Sequence, residues 1–160
     1  MKTLYTRDLY KRKCKLEELR DAVTTAREEL EGKKGELAAL EETPEDEASE
    51  AALEIASEGV TDAESNLEIA ESDFSDDEKA ELDELETLEN EISEFMHGET
   101  MIPESDFEDY AREMAEVIHG KAVREATWPF TCIDWTEAAE QLQQDYSTVE
   151  YQGESYYVRS

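Results

Sequence analysis

Few side chains in this 160-residue chain have the types and spacing that catalysis needs. The two histidines, His97 and His119, each stand just before a glycine near a helix end. A histidine there caps a helix or faces solvent more readily than it serves as a base. Cys14 and Cys132 lie far apart, with no C-x-x-C partner, which excludes a disulfide framework and a zinc site. Cys132, between Thr131 and Ile133, reads as a small buried hydrophobe. There is no Gly-rich phosphate loop, nucleophile elbow or H-E-x-x-H. The stretch "DFSDDE" (73–78) is rich in carboxylates but lacks the spacing and the glycine of a calcium loop. The expectation is a non-enzyme with no cofactor and no specific metal site.

What remains is the carboxylates. The net charge is −30, and it is segregated. Residues 1–43 balance ten basic against ten acidic side chains, whereas residues 44–109 carry one basic and 26 acidic. Residues 110–160 carry four basic and nine acidic. Self-repulsion on this scale opposes a compact state, so it points to a use for the charge. Disorder is set aside because the apolar residues are periodic and the last third holds both tryptophans.

Ser75–Phe95 concentrates the charge: ten of its 21 residues are acidic. As a helix it is about 31 Å long, with one carboxylate per 3 Å or so. Laid beside the preceding helix, it would approach the roughly one charge per 1.7 Å of duplex DNA. A stiff negative rod of that density fits a basic groove by the same counterion exchange that DNA uses. The expected partner-binding surface is therefore Asp76, Asp77, Glu78, Glu81, Asp83, Glu84 and Glu91, with Asp73, Glu64, Glu68 and Glu71 before them. The N-terminal cluster of Lys2, Arg7, Lys11, Arg12, Lys13 and Lys15, interleaved with Tyr5 and Tyr10, could grip phosphates. With 26 acids next to it, it is read instead as pairing within the protein or with a second chain, and no direct nucleic-acid binding is expected.

The elements that must hold these residues are mostly helices. Leu9, Leu16, Val23, Leu30 and Leu37 fall every seven residues, with Leu19, Ala26 and Leu40 between them. That is a coiled-coil seam. Leu53, Val60, Leu67 and Phe74, with Ala56, Ala63 and Ala70, repeat the pattern. The spacing predicts helices over about 7–42, 45–73 and 76–96, the first two closing as an antiparallel pair. Thr43 and Pro44 read as the cap and first residue of the second helix, and Gly59 as a weak point in it. Ser75 with Glu78, and Ser105 with Glu108, read as capping boxes. "GETMIP" (98–103) reads as a linker between a helical module, 1–98, and a smaller α+β module, 103–160. In the latter, Phe107, Tyr110, Ala111, Met114, Val117 and Ile118 form an apolar face before Gly120, and Asp134 opens a short helix. "STVEYQGESYYVR" then alternates about Gly153 as a β-hairpin. The fold class expected is mostly α: an acidic antiparallel helical module followed by a small α+β module. No apolar run approaches the roughly 20 residues of a membrane span. The first residues lack a signal-peptide apolar region, so a cytoplasmic protein is expected.

The run from Asp134–Trp135 through Ala138–Ala139, Leu142, Asp145–Tyr146, Gly153, Tyr156–Tyr157 and Arg159 resembles the C-terminal part of antirestriction proteins of the ArdA kind. It is also similar to small phage proteins of unassigned function. The resemblance covers about the last 55 residues. It implies an acidic DNA mimic, phage-encoded, that occludes the DNA-binding groove of a host defence complex in the host cytoplasm, often as a homodimer. The helical first 100 residues have no counterpart in that family, and here the charge sits on those added helices. The implied partner is thus a basic DNA- or RNA-handling complex, restriction–modification or CRISPR-type. The alternative is a coiled-coil assembly protein of a phage with a solvated acidic surface.

Overall fold

The computed structural model describes residues 3–43 and 50–159. Six α-helices and four strands run in the order β1 (Leu4–Tyr5), α1 (Thr6–Glu41), α2 (Glu50–Asp73), α3 (Asp76–Glu91), β2 (Thr100–Pro103), α4 (Phe107–His119), α5 (Lys121–Arg124), α6 (Trp135–Gln143), β3 (Tyr146–Tyr151) and β4 (Glu154–Arg159) among the described residues. The protein is mostly α, with a small antiparallel sheet. It divides into two compact units, Lys13–Leu82 and Met1–Arg12 with Asp83–Ser160.

In the helical unit α1 and α2 lie antiparallel, held along the predicted seam. Leu16, Val23, Leu30 and Ala63 are buried, and Leu19, Ala26, Leu37, Leu53, Val60, Leu67 and Ala70 are half-buried. Arg27 pairs with Glu71 at 2.8 Å and Lys34 with Glu64 at 2.9 Å. Seven residues forward on α1 match seven back on α2, which is one heptad of antiparallel register. Both pairs are exposed, so each contributes only about 0.2–1 kcal/mol and serves register more than stability. Lys33 occupies a seam position, and its stem lies over Gly59: a Cβ there would meet the Lys33 Cδ at 3.4 Å. Its Nζ reaches Glu36 at 2.9 Å, so the charge leaves the seam while the stem stays. Gly59 is where that stem is accommodated, not merely a weak point. Thr43 donates its hydroxyl to the Ala39 carbonyl at the end of α1, and the cap predicted for it on the second helix rests on residues outside those described. Pro44, Lys2 and the predicted start of the second helix at Glu45 lie outside the described residues.

In the other unit the sheet order is β1-β2-β4-β3, all antiparallel. Thr100–Pro103, expected as a linker, is an inner strand, so the boundary drawn from sequence falls inside this unit. Pro103 is tolerated because its partner across β4 is Tyr156, a non-hydrogen-bonded pair in this register, so no ladder N–H is lost there. One face of the sheet packs Ile102 against Phe107 and Ala111 of α4 and Ala139 of α6, with Tyr110, Leu142, Tyr146 and Tyr157 around them. On the opposite face Met101, Val149, Tyr151, Tyr156 and Val158 are buried, as are Leu85, Leu88, Ile92 and Phe95 from α3 and the turn after it. The hairpin turn is Gln152–Gly153, both at positive φ (50° and 75°), the I′ geometry that a two-residue loop between twisted strands requires.

Three expectations are corrected here. The third helix stops at Glu91, and a 3-10 turn, Phe95–His97, follows where helix to residue 96 was predicted. Ser105 and Glu108 form no capping box. A 3-10 turn, Glu104–Asp106, comes first, so the N-cap falls on Asp106, α4 starts one residue later and Glu108 stands one position too early to reach back. Glu108 instead accepts from the Thr136 hydroxyl at 3.0 Å, tying α4 to α6. Val117 and Ile118 are exposed, since the buried stripe of α4 ends before its last turn. The Asp134 cap does form, its carboxylate accepting from the N–H groups of Thr136 (3.1 Å) and Glu137 (3.2 Å).

Leu88 is fully buried. Leu88→Ala is expected to cost about 2–5 kcal/mol in urea unfolding. The Tyr156 hydroxyl donates to Glu154 at 2.8 Å. Burial first, then that hydrogen bond and the carboxylate's charge, pushes its pKa up to about 12. Burial and the Tyr110 hydroxyl, 3.0 Å away, raise Tyr146 as well. A phenol whose folded pKa is raised stabilises fully below its ordinary value near 10 and loses that contribution as the pH rises through 12. Absorbance at 295 nm is therefore expected to show these tyrosines ionising late, together with unfolding. Early ionisation of all seven tyrosines would contradict this packing.

Candidate functional site

The acidic surface is built on α3, and its geometry follows from two patterns on one helix. Ser75 caps it: the Ser75 N–H and hydroxyl donate to Glu78 Oε2 at 2.9 and 3.1 Å, and the Glu78 N–H donates back at 3.4 Å. Leu82, Leu85 and Leu88 are 3 % exposed or less and fix one side of the helix. At 100° per residue, Asp76, Asp77, Asp83, Glu84 and Glu91 fall within about a third of the circumference, away from that stripe. All five are exposed. Nine carboxylates on a helix of 16 residues, about 24 Å long, give one per 3 Å or so.

The other predicted residues have different surroundings. Glu78 is half-buried and committed to the cap, and Glu81 is half-buried beside the leucine stripe. Asp76, whose side chain is 98 % exposed, accepts from Lys79 at 2.8 Å, and that hydrogen bond and charge lower its pKa. Glu84 Oε2 accepts the Gln152 N–H at 3.3 Å. On α2, Glu64 and Glu71 are neutralised by Lys34 and Arg27, with Glu68 exposed between them, and Asp73 is exposed at the helix end. The described α2 thus has eight carboxylates over about 36 Å, two of them paired. That is sparser than the sequence estimate, because the acids at 45–47 lie outside the described residues and α1 brings cations to this flank. Alone, α3 with one carboxylate per 3 Å or so is nearer the roughly 3.4 Å spacing of a single DNA strand than the roughly 1.7 Å of a duplex.

Two members of the basic cluster pair within the protein: Lys11 with Asp8 at 3.1 Å and Lys13, nearly buried, with Glu17 at 2.7 Å. Cys132, expected to be buried, is exposed, because it sits in a single 3-10 turn, Phe130–Cys132, outside the covered face of the sheet. His97 is exposed near Glu94, and the exposed His119 stacks on Phe130. Among the described residues no three His, Cys, Asp or Glu side chains come together to hold a metal ion. No described helix is long and apolar enough to cross a membrane. No protein-family model, curated protein or solved structure matches the chain.

The cap is the local device that starts this face. Ser75→Ala is expected to destabilise by about 0.5–2 kcal/mol, read as a lower urea midpoint at unchanged slope.

Proposed function

We propose that this protein is a non-enzymatic acidic DNA mimic, phage-encoded, that acts in the host cytoplasm by occluding the nucleic-acid-binding groove of a basic defence complex of the restriction–modification or CRISPR type. The observation that supports it most is the outer face of α3: five exposed carboxylates in one sector, on a helix anchored by three buried leucines. A basic channel binds DNA by replacing condensed counterions with Lys and Arg. A rigid row of carboxylates offers that channel the same exchange. No bond is made or broken and no cofactor is used. The segregation of 26 acids against one lysine in residues 44–109 argues for recognition over mere solvation, since a solvated coiled coil mixes Lys among its Glu.

A second reading, an assembly protein docking through apolar contacts, has one observation in its favour: Ile55 and Ile69 on α2 are 70 % and 61 % exposed. Salt separates the two. Binding through five carboxylates weakens by roughly 10²–10³-fold between 50 and 200 mM salt, whereas apolar docking persists.

The test is a DNA-cleavage assay with restriction–modification and CRISPR-type enzymes. The variant carries Asp76→Asn and Asp77→Asn in the first turn, where lysine would oppose the helix dipole, with Asp83→Lys and Glu91→Lys farther on. The unaltered protein is expected to suppress cleavage and the folded variant to release it. Equal inhibition by both would sink the mimic reading.

A further inference from the structure

The two edges of the sheet are unequal. β1 is a two-residue edge, too short to template another strand. β3, six residues long, forms the other edge and, among the described residues, pairs only with β4. In a two-residue hairpin Tyr151 and Glu154 make the hydrogen-bonded pair next to the loop, and the pairs alternate from there. Val149 and Ser147 therefore turn their backbone groups towards β4. Thr148 and Glu150 turn theirs to the open side. Edges of this length are commonly blunted by proline, lysine or a bulge; β3, "YSTVEY", has none of these.

Along this edge runs a groove of about 420 Å³, lined by Thr148, Val149, Glu150 and the turn on one side and by Glu84, Thr87 and Glu91 of α3 on the other. Glu84, Thr87 and Glu91 project from one side of α3, at spacings of three and four. Glu84 already accepts the Gln152 N–H, which closes the turn end of the groove. Glu91 and Glu150 are exposed.

We propose that β3 accepts a fifth strand: an extended Lys- or Arg-bearing segment of a partner protein, seated in this groove. Its backbone would bond to Thr148 and Glu150, about 4.8 Å away. Its side chains alternate, one set meeting Glu84 and Glu91 and the other lying beside Thr148 and Glu150. A second copy of this chain is the wrong occupant. It would bring its own Glu84, Glu91 and Glu150 to the same edge, and each copy carries −30. The surface takes a peptide strand rather than a nucleic-acid-binding channel, so it stands independently of the mimic reading, although Glu84 and Glu91 belong to both.

The probe is a blocked Lys-Val-Lys-Val-Lys peptide, titrated into the 15N-labelled full chain. Shifts and slowed exchange are expected at the Thr148 and Glu150 amides. The same peptide N-methylated at every internal amide keeps its charge but loses its donors, and should bind at least tenfold more weakly. Thr148→Pro, which removes an outward N–H without touching the β4 ladder or the charge, should weaken the unmodified peptide similarly. Its amide spectrum reports that it still folds, and its effect on DNA cleavage inhibition separates this surface from the α3 face. Equal affinity for both peptides would overturn the proposal, as would shifts confined to α3 carboxylate positions or dimerisation of the free chain through β3.

Discussion

Like-charge repulsion along α3 is the constraint to which the surrounding structure answers. Nine carboxylates on sixteen residues push one another apart, and one lysine cannot offset them. The opposing force is burial: Leu82, Leu85 and Leu88 from the helix, then Ile92 and Phe95 after it, are all 5 % exposed or less. Each such side chain contributes about 1.5–3 kcal/mol by leaving water. The apolar and acidic sets do not compete for space because a helix can assign them to different sides. The cap at Ser75 adds a third contribution: it places Asp76, Asp77 and Glu78 in the first turn, where the helix dipole favours negative charge. α3 thus carries its charge density without losing its own helical stability.

How much of this was legible in the sequence depended on how local each signal is. The heptads from Leu9 and Leu53, the Ser75 box, the Asp134 cap and the Gln152–Gly153 turn are each written within a few residues, and all four formed. Thr100–Pro103 was not legible as a strand. It is four residues long, contains proline, and pairs with β1 some 97 positions earlier and β4 more than 50 later. Nothing within "GETMIP" reports those partners. The Ser105 box failed for a small reason, a 3-10 turn that moves the N-cap on by one residue. Val117, Ile118 and Cys132 were misplaced because apolar character does not say where a covering layer ends.

The candidate surface was legible as composition and only partly as geometry. Spacing alone identified α3 as the acidic element. It could not tell which carboxylates have prior commitments. Glu78 to the cap, Glu64 and Glu71 to α1, and Glu84 to the Gln152 backbone are contacts that need the fold. The open edge of β3 was equally hidden, since an edge is defined by which strand is not beside it.

The pairing of Leu4–Tyr5 with Thr100–Met101 bears on how the chain comes to be assembled. Bringing those segments together closes a loop of almost a hundred residues, an entropic cost met before any contact inside the sheet repays it. The α1–α2 seam involves far shorter separations, and helices with local contacts form fast. On a ribosome, Lys13–Leu82 has all of its residues while the sheet still lacks β3 and β4. The α1–α2 hairpin can thus pack before the sheet has all its strands, which come from both ends of the described chain.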